Sequence, residues 1–319
     1  MNETQENKKY SRFAPASRAL LFWTLFIGIG AVSGALGMLI DPSGKAMGMD
    51  AMLPYFKKLP FSDVLFTNFI FSGIALLIVN GLTNLTAAVL IIKKKKIGLV
   101  LGGIFGVTLM LWICIQFYMF PFNFMSTIYF IFGFLQTITG FMACIFKKQE
   151  DFKDEEDKLI ESGAYSNIGS DPENLVVYFS RMGYVRKKAY QKANQTGADI
   201  YEIKSTEITE KTIGFWWCGR YGMHKWDMPI KDVTIDLSKY KHVTICSPVW
   251  VFNLAAPVRS FCKKASGKIS SADYILTHFN NKPYFNVADE MDKLLGLHNT
   301  KVESYCVRYG KEINKKNRG

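Results

Sequence analysis

Between residues 97 and 146 the sequence contains no Asp, Glu, Lys, Arg or His. A solvated helical surface needs such side chains, so their absence excludes an ordinary soluble helical domain there. Histidine is scarce throughout: all four lie at or beyond His224, leaving none in the apolar half to hold a haem in pairs. The six cysteines (114, 144, 218, 246, 262 and 306) show no C-x-x-C spacing, which argues against zinc, iron–sulfur and thioredoxin-type sites, and no metal is expected. No G-x-G-x-x-G occurs, so a dinucleotide turn of that kind is missing too.

What the first half does have is long apolar runs. Residues 19–40, 64–92, 97–120 and 126–146 each reach the ~20 residues that cross a ~30 Å hydrocarbon core. They predict an N-terminal all-α membrane region, with four transmembrane helices, over residues 1–148. The first run follows Arg18 and ends near small residues, as a signal sequence would. Its 22 residues exceed the ~7–15 of a secretory core, so it is expected to stay as an anchor. Lys8, Lys9, Arg12 and Arg18 precede the first span, four lysines at 93–96 separate the second and third, and Lys147 and Lys148 follow the fourth. This bias predicts a multi-pass protein of the cell membrane with both termini cytoplasmic. Asn80, Asn84 and Gln136 are expected to join helix to helix rather than line an ion path.

Charge divides the chain in three. Residues 1–148 carry net +8, residues 149–170 net −5 and residues 171–319 net +9. Residues 149–173 are polar and acidic, and read as a linker or as a short helix with a flexible tail. The basic C-terminal part would be drawn to an anionic leaflet at ~1 kcal/mol per close Lys or Arg, unless its scattered charge only keeps it soluble.

A second domain is expected over 174–319. NLVVYFS (174–180) is a continuous apolar run, as in a strand buried on both faces of a parallel sheet. VRKKAYQKANQTGA (185–198) reads as a helix closed by Gly197, and DIYEI (199–203) as a second strand. GFWWCGRYGMHKWDMPI (214–230) is too rich in Gly and aromatics for a clean helix, and suits a cover, a substrate loop or a face at a lipid interface. A cysteine nucleophile needs an adjacent base, and Cys218 with His224 is the pair this segment offers, against a structural reading of both. HVTICSPVW, LAAPVRSFCKKAS, ADYILTHF, VADEMDKLLG and KVESYCVRYG then alternate strand with helix, which predicts a doubly wound parallel sheet.

Three stretches carry a family resemblance. VVYFSRMGYVRKKA (176–189) is similar to a strand, an S/T-x-T-G-x-T phosphate loop and a helix. DLSKYKHVTICSPVWVFNLAAPVRSFC (236–262) looks like a third strand ending in a Ser-Pro-x-Trp loop before a proline-bearing helix. YILTHFNN (274–281) stands where a second ring-flanking loop leaves strand four. Together they resemble the flavodoxin family, which implies an α/β doubly wound sheet of strand order 2-1-3-4-5 and FMN as cofactor. The implied phosphate loop is Ser180, Arg181, Met182, Gly183, Tyr184 and Val185. The implied ring-flanking residues are Ser247, Pro248, Val249, Trp250 and Phe252, then His278 and Phe279.

The loop departs from the pattern, with Met182, Tyr184 and Val185 where the family has polar residues. Phosphate would then be held by backbone N–H groups, the helix dipole, Ser180 and Arg181, at ~1 kcal/mol lost per missing neutral hydrogen bond. An unliganded turn with Tyr184 packed over it is the plain alternative. Trp250 is placed to stack on a flat ring, or else is a core tryptophan. His278 either bonds the flavin or caps its strand. Further departures are KEINKKNRG (311–319) in place of a final helix and a basic net charge where the family's carriers are acidic.

Taken with the apolar spans and their basic flanks, the resemblance implies a membrane-anchored FMN protein passing electrons on the cytoplasmic side, to or from an acidic or membrane-bound partner, with no nucleic acid. Basic residues near the ring would make its potential less negative than that of acidic carriers. The alternatives are a flavin-free binding or sensory module, and a flavin-dependent reductase of quinones or other small molecules.

Overall fold

The computed structural model describes residues 12–319, so Lys8 and Lys9 of the basic flank lie outside the described residues. Among these residues the chain divides into two units, Arg12–Lys147 and Lys148–Gly319.

The first unit is helical. Helices α1 (Phe13–Ile40), α2 (Ile70–Ile92), α3 (Lys96–Met119) and α4 (Phe124–Glu161, whose first part belongs here) are long and apolar enough to cross a membrane. Their exposed side chains include Phe22, Ile29, Ile104, Leu111 and Phe141, a surface that water does not favour. Glycine sets the closest helix contact. A Cβ on Gly106 would stand 2.6 Å from the Gly133 carbonyl oxygen, and one on Gly140 would stand 2.5 Å from the Gly103 Cα, so α3 and α4 meet backbone to backbone. Gln136 Nε2 donates to Asn84 Oδ1 and to the Gly102 carbonyl, each at 2.7 Å, tying α2, α3 and α4 as the sequence led one to expect. Asn80 does not join them. It sits in a π-helical turn, Leu77–Leu82, that interrupts α2. The second helix starts at Ile70 rather than 64, where Asn68 Oδ1 accepts the Ile70 N–H at 2.9 Å, and residues 41–69 hold short helical segments, among them the 3-10 helix Asp50–Lys58.

The second unit is a mixed sheet with helices on both faces. In chain order it comprises β1 (Asp171–Tyr178), α5 (Tyr184–Thr196), β2 (Ala198–Glu202), α6 (Lys211–His224), β3 (His242–Trp250), β4 (Asn253–Leu254), α7 (Ala256–Ala265), β5 (Ala272–His278), α8 (Phe285–Leu295), β6 (Lys301–Arg308) and β7 (Lys311–Arg318). The expected five-strand order needs correction: there are seven strands, in the order β2-β1-β3-β5-β6-β7 with β4 paired to β3. Without the two-residue β4 and the antiparallel edge β7, the five parallel strands follow the doubly wound order with its reversal between β1 and β3.

The apolar run of β1 splits by parity. Leu175, Val177 and Phe179 join the core under α7 and α8, and Val176 and Tyr178 join the core under α5. Both faces are buried, which is why the run reads as continuous. KEINKKNRG forms β7, an edge strand rich in charge, rather than the start of a helix. The end of α4 packs beside α5. Residues 149–161 continue that helix; Phe152 packs on Tyr184 and sits where a Cβ on Gly310 would be, between α5 and the β6–β7 turn. Two of its acid groups pair with α5, Glu156 with Lys187 at 2.8 Å and Asp157 with Arg186.

The segment read as too irregular for a helix forms α6. Its glycines serve contact rather than flexibility: Cβ atoms on Gly222 and Gly214 would stand 2.9 Å from Trp250 and 2.4 Å from Thr209. The aromatics fall largely on the outer face, with Trp216 71% exposed.

Candidate functional site

Three loops lie at the carboxyl ends of β1, β3 and β5, around the reversal of strand order where sheets of this kind bind ligands. After β1 the chain turns through Ser180 to Gly183, and Gly183 caps α5 at φ 87°, a left-handed conformation that favours glycine. The Gly183 N–H donates to Ser180 Oγ at 3.1 Å, closing the turn. The first N–H groups of any α-helix lack partners within it, so the start of α5 directs donors and a positive dipole end toward this loop.

Arg181 is buried, its Nε donating to the Thr209 carbonyl at 2.7 Å, its Nη1 meeting Met182 Sδ at 3.3 Å and its guanidinium lying 5.4 Å from the Phe215 ring centre. Burial lowers its pKa from the ordinary arginine value. Tyr184 turns its ring edge to Phe152 at 4.9 Å, and burial pushes its hydroxyl up to about 12. Val185 is buried beneath α5 with Val176. Phe152 also stands 3.3 Å from where a Gly183 Cβ would be, so that side of the loop is filled by the chain's own ring. The cations that follow are paired: Arg186 and Lys187 with the end of α4, and Lys188 with Glu312 at 2.6 Å.

The Ser-Pro-x-Trp segment stays in β3 to its last residue rather than leaving as a loop. Ser247 is fully buried and its Oγ donates to the Pro248 carbonyl at 2.9 Å, while Pro248 and Val249 are half-buried. Trp250 sets its ring edge-on to Phe179 at 5.5 Å and packs against α6. The turn that follows is a hairpin: Val251 and Phe252 adopt φ 47° and 65°, and Asn253 pairs back with Trp250. A β-branched residue is uncommon at positive φ, so this turn is held against local preference. It leaves Phe252 65% exposed, its ring parallel to Tyr284 at 6.4 Å.

At the end of β5 both nitrogens of His278 are engaged. Nδ1 lies 2.7 Å from the Asn280 carbonyl, which only accepts, so Nδ1 carries the proton and Nε2 accepts from Ser304 Oγ at 2.8 Å. Burial lowers its pKa, and the ring ties the loop to β6. Phe279 points outward, 56% exposed, beside Tyr309 and under Arg308, whose Nε holds the Phe279 carbonyl at 2.9 Å.

Sequence reasoning missed Phe152, Phe179, Tyr284 and Ser304. Tyr284 joins Phe252 to His278, and its hydroxyl accepts Asn280 Nδ2 at 2.6 Å. Only its place after the YILTHFNN loop signalled it. The Cys218–His224 pair is not assembled. Cys218 is buried with its thiol pushed up to about 11, the reverse of an activated nucleophile, and His224 stacks on Trp226 at 4.6 Å.

No family model matches the chain, and no curated protein does. Solved structures do. A candidate flavoprotein from Bacteroides eggerthii is 22% identical over 42% of this chain and 86% of its own, with TM-score 0.36. A flavoprotein in complex with FMN from Lactobacillus acidophilus is 20% identical over 42% and 91%, with TM-score 0.35. A candidate flavoprotein from Bacteroides uniformis is 18% identical over 43% and 93%, with TM-score 0.37. The doubly wound assignment of the second unit stands on its own strand order.

Proposed function

We propose that the chain is a membrane-anchored, flavodoxin-like protein that binds FMN and transfers electrons on the cytoplasmic side, with both termini in the cytoplasm. The observation that carries this is the convergence of the Ser180–Gly183 turn, the Trp250–Asn253 hairpin and the His278 loop at the reversal of strand order. The residues fit the cofactor: the start of α5 with Ser180 suits a phosphate, and the exposed Phe252 face suits a flat ring. Bound FMN would supply the one- or two-electron chemistry. The chain's part is to hold it: α5 and Ser180 orient the phosphate end, Phe252 and Tyr284 shield one side of the ring, and His278 fixes the loop that carries Phe279. Arg186, Lys187 and Lys188 are paired to carboxylates, and Arg181, which donates to the Thr209 carbonyl, would be the basic group at the turn that bears on the potential. The partner would be acidic or membrane-bound.

A flavin-free binding module is the second reading, favoured by Phe152 against Gly183 and by the engagement of Trp250 with Phe179 and α6. Purifying the full chain in detergent with FMN separates the two. Flavin that stays with the protein, its fluorescence quenched by the wild type and partly restored by Phe252→Ala, supports the carrier. A folded, colourless protein at saturating FMN leaves the module.

A further inference from the structure

We infer that the helical unit holds a binding site for a neutral, lipid-soluble quinone or its quinol. A cavity of about 710 Å³ lies within this unit, a size that encloses a ligand of ordinary drug dimensions. Its lining includes Phe56, Phe69, Trp112 and Tyr129, and no Asp, Glu, Lys, Arg or His, so it suits an uncharged ligand with a flat ring. One side chain gives it chemical direction. Asn80 lines the cavity, is 0% exposed, and has both Nδ2 and Oδ1 without a hydrogen-bond partner.

The other two amides of the lining are bonded within the chain, Gln116 Oε1 to Ser126 Oγ and Asn123 Nδ2 to the Pro121 carbonyl. A buried amide with neither end satisfied is costly where water is excluded, and a ligand that completes it recovers that cost. Asn80 also lies in the π-helical turn Leu77–Leu82, and such turns gather at functional sites. The Asn80 carbonyl is taken by Asn84 Nδ2 at 2.8 Å, which anchors the residue from behind. The side chain offers one donor group and one acceptor. A quinone carbonyl accepts a hydrogen bond from Nδ2–H, and a quinol hydroxyl donates one to Oδ1, so a single neutral residue serves both oxidation states. An aliphatic chain would fill the space and leave Asn80 as it is. This site does not depend on flavin binding in the other unit.

The test is a titration of the full chain in lipid nanodiscs with decylubiquinone, with its quinol, and with n-decane as the apolar control, read by calorimetry. Saturable binding of both redox forms but not of n-decane, weakened at least tenfold by Asn80→Leu and also weakened by Ala75→Trp, which projects into the cavity, is the expected result. Equal uptake of n-decane by the wild type, no saturable binding, or undiminished quinone binding in a folded Asn80→Leu protein would overturn it. The comparison of ligands on the wild type decides the matter even if Asn80→Leu fails to fold.

Discussion

In the α/β unit the buried carboxylate of Asp292 accepts from Tyr274 at 2.9 Å and Thr300 at 2.6 Å. In the helical unit the more deeply buried amide of Asn80 has no partner at either end, although Asn84 and Gln136 nearby bond across three helices. The first cluster closes on itself and specifies a packing of strand, helix and loop. The second leaves one polar side chain, on the lining of a cavity, without a bond. Buried polar groups in folded proteins are mostly paired, so a buried side chain with both of its polar atoms unbonded marks a place to look for a ligand.

The largest effect is expected where backbones touch. Gly106→Leu would force α3 and α4 apart, because its Cβ has the Gly133 carbonyl and Thr137 at 2.6 Å, and overpacking against backbone costs about 3 kcal/mol or more. A fall in Tm and loss of the assembled helical unit in micelles would register it; an unchanged melting curve would remove glycine contact as the reason for this packing.

Asp292→Ala strands two buried hydroxyls and should destabilise the α/β unit by about 2–4 kcal/mol, against about 1 kcal/mol for Tyr274→Phe. Urea unfolding measures both, and equal small losses would show that the cluster is not closed. The same reasoning separates the amides. Gln136→Leu removes two bonds and should cost about 1–3 kcal/mol, while Asn80→Leu removes no side-chain bond and should leave stability unchanged or raised. If the two variants melt alike, the contrast drawn above fails.

The smallest effect is the pH response of His278. Its folded pKa is depressed, so its contribution is complete above the ordinary value of 6.5 and is lost as the pH falls below that value toward the folded pKa. Stability measured from pH 8 to pH 5 should decline on this account, and His278→Gln should flatten that part of the profile.

Much of the architecture was legible because it is local. A helix or strand announces itself through neighbours within a few residues, so the four apolar helices, the closure of α5 at Gly197 and the even and odd faces of β1 could be read directly. α6 was misread because Gly and aromatic residues lower helix propensity, whereas tertiary contact at Gly222 and Gly214 repays the helix there. The site was legible as a set of loops and not as a set of contacts. Trp250, placed for ring stacking by its motif, is engaged by Phe179 and α6, and Phe252 and Phe279 are the candidates that stand free of the core.

The sequence alone determined the apolar spans, the alternation of strand and helix and the loops at the strand ends, since hydrophobic period and turn residues act over short distances. Tertiary structure alone decided that the end of α4 packs beside α5, that His278 is locked at both nitrogens, and that Asn80, on the lining of a cavity, has no side-chain partner. Each of these depends on which distant side chain arrives, and that is settled by packing the whole chain at once.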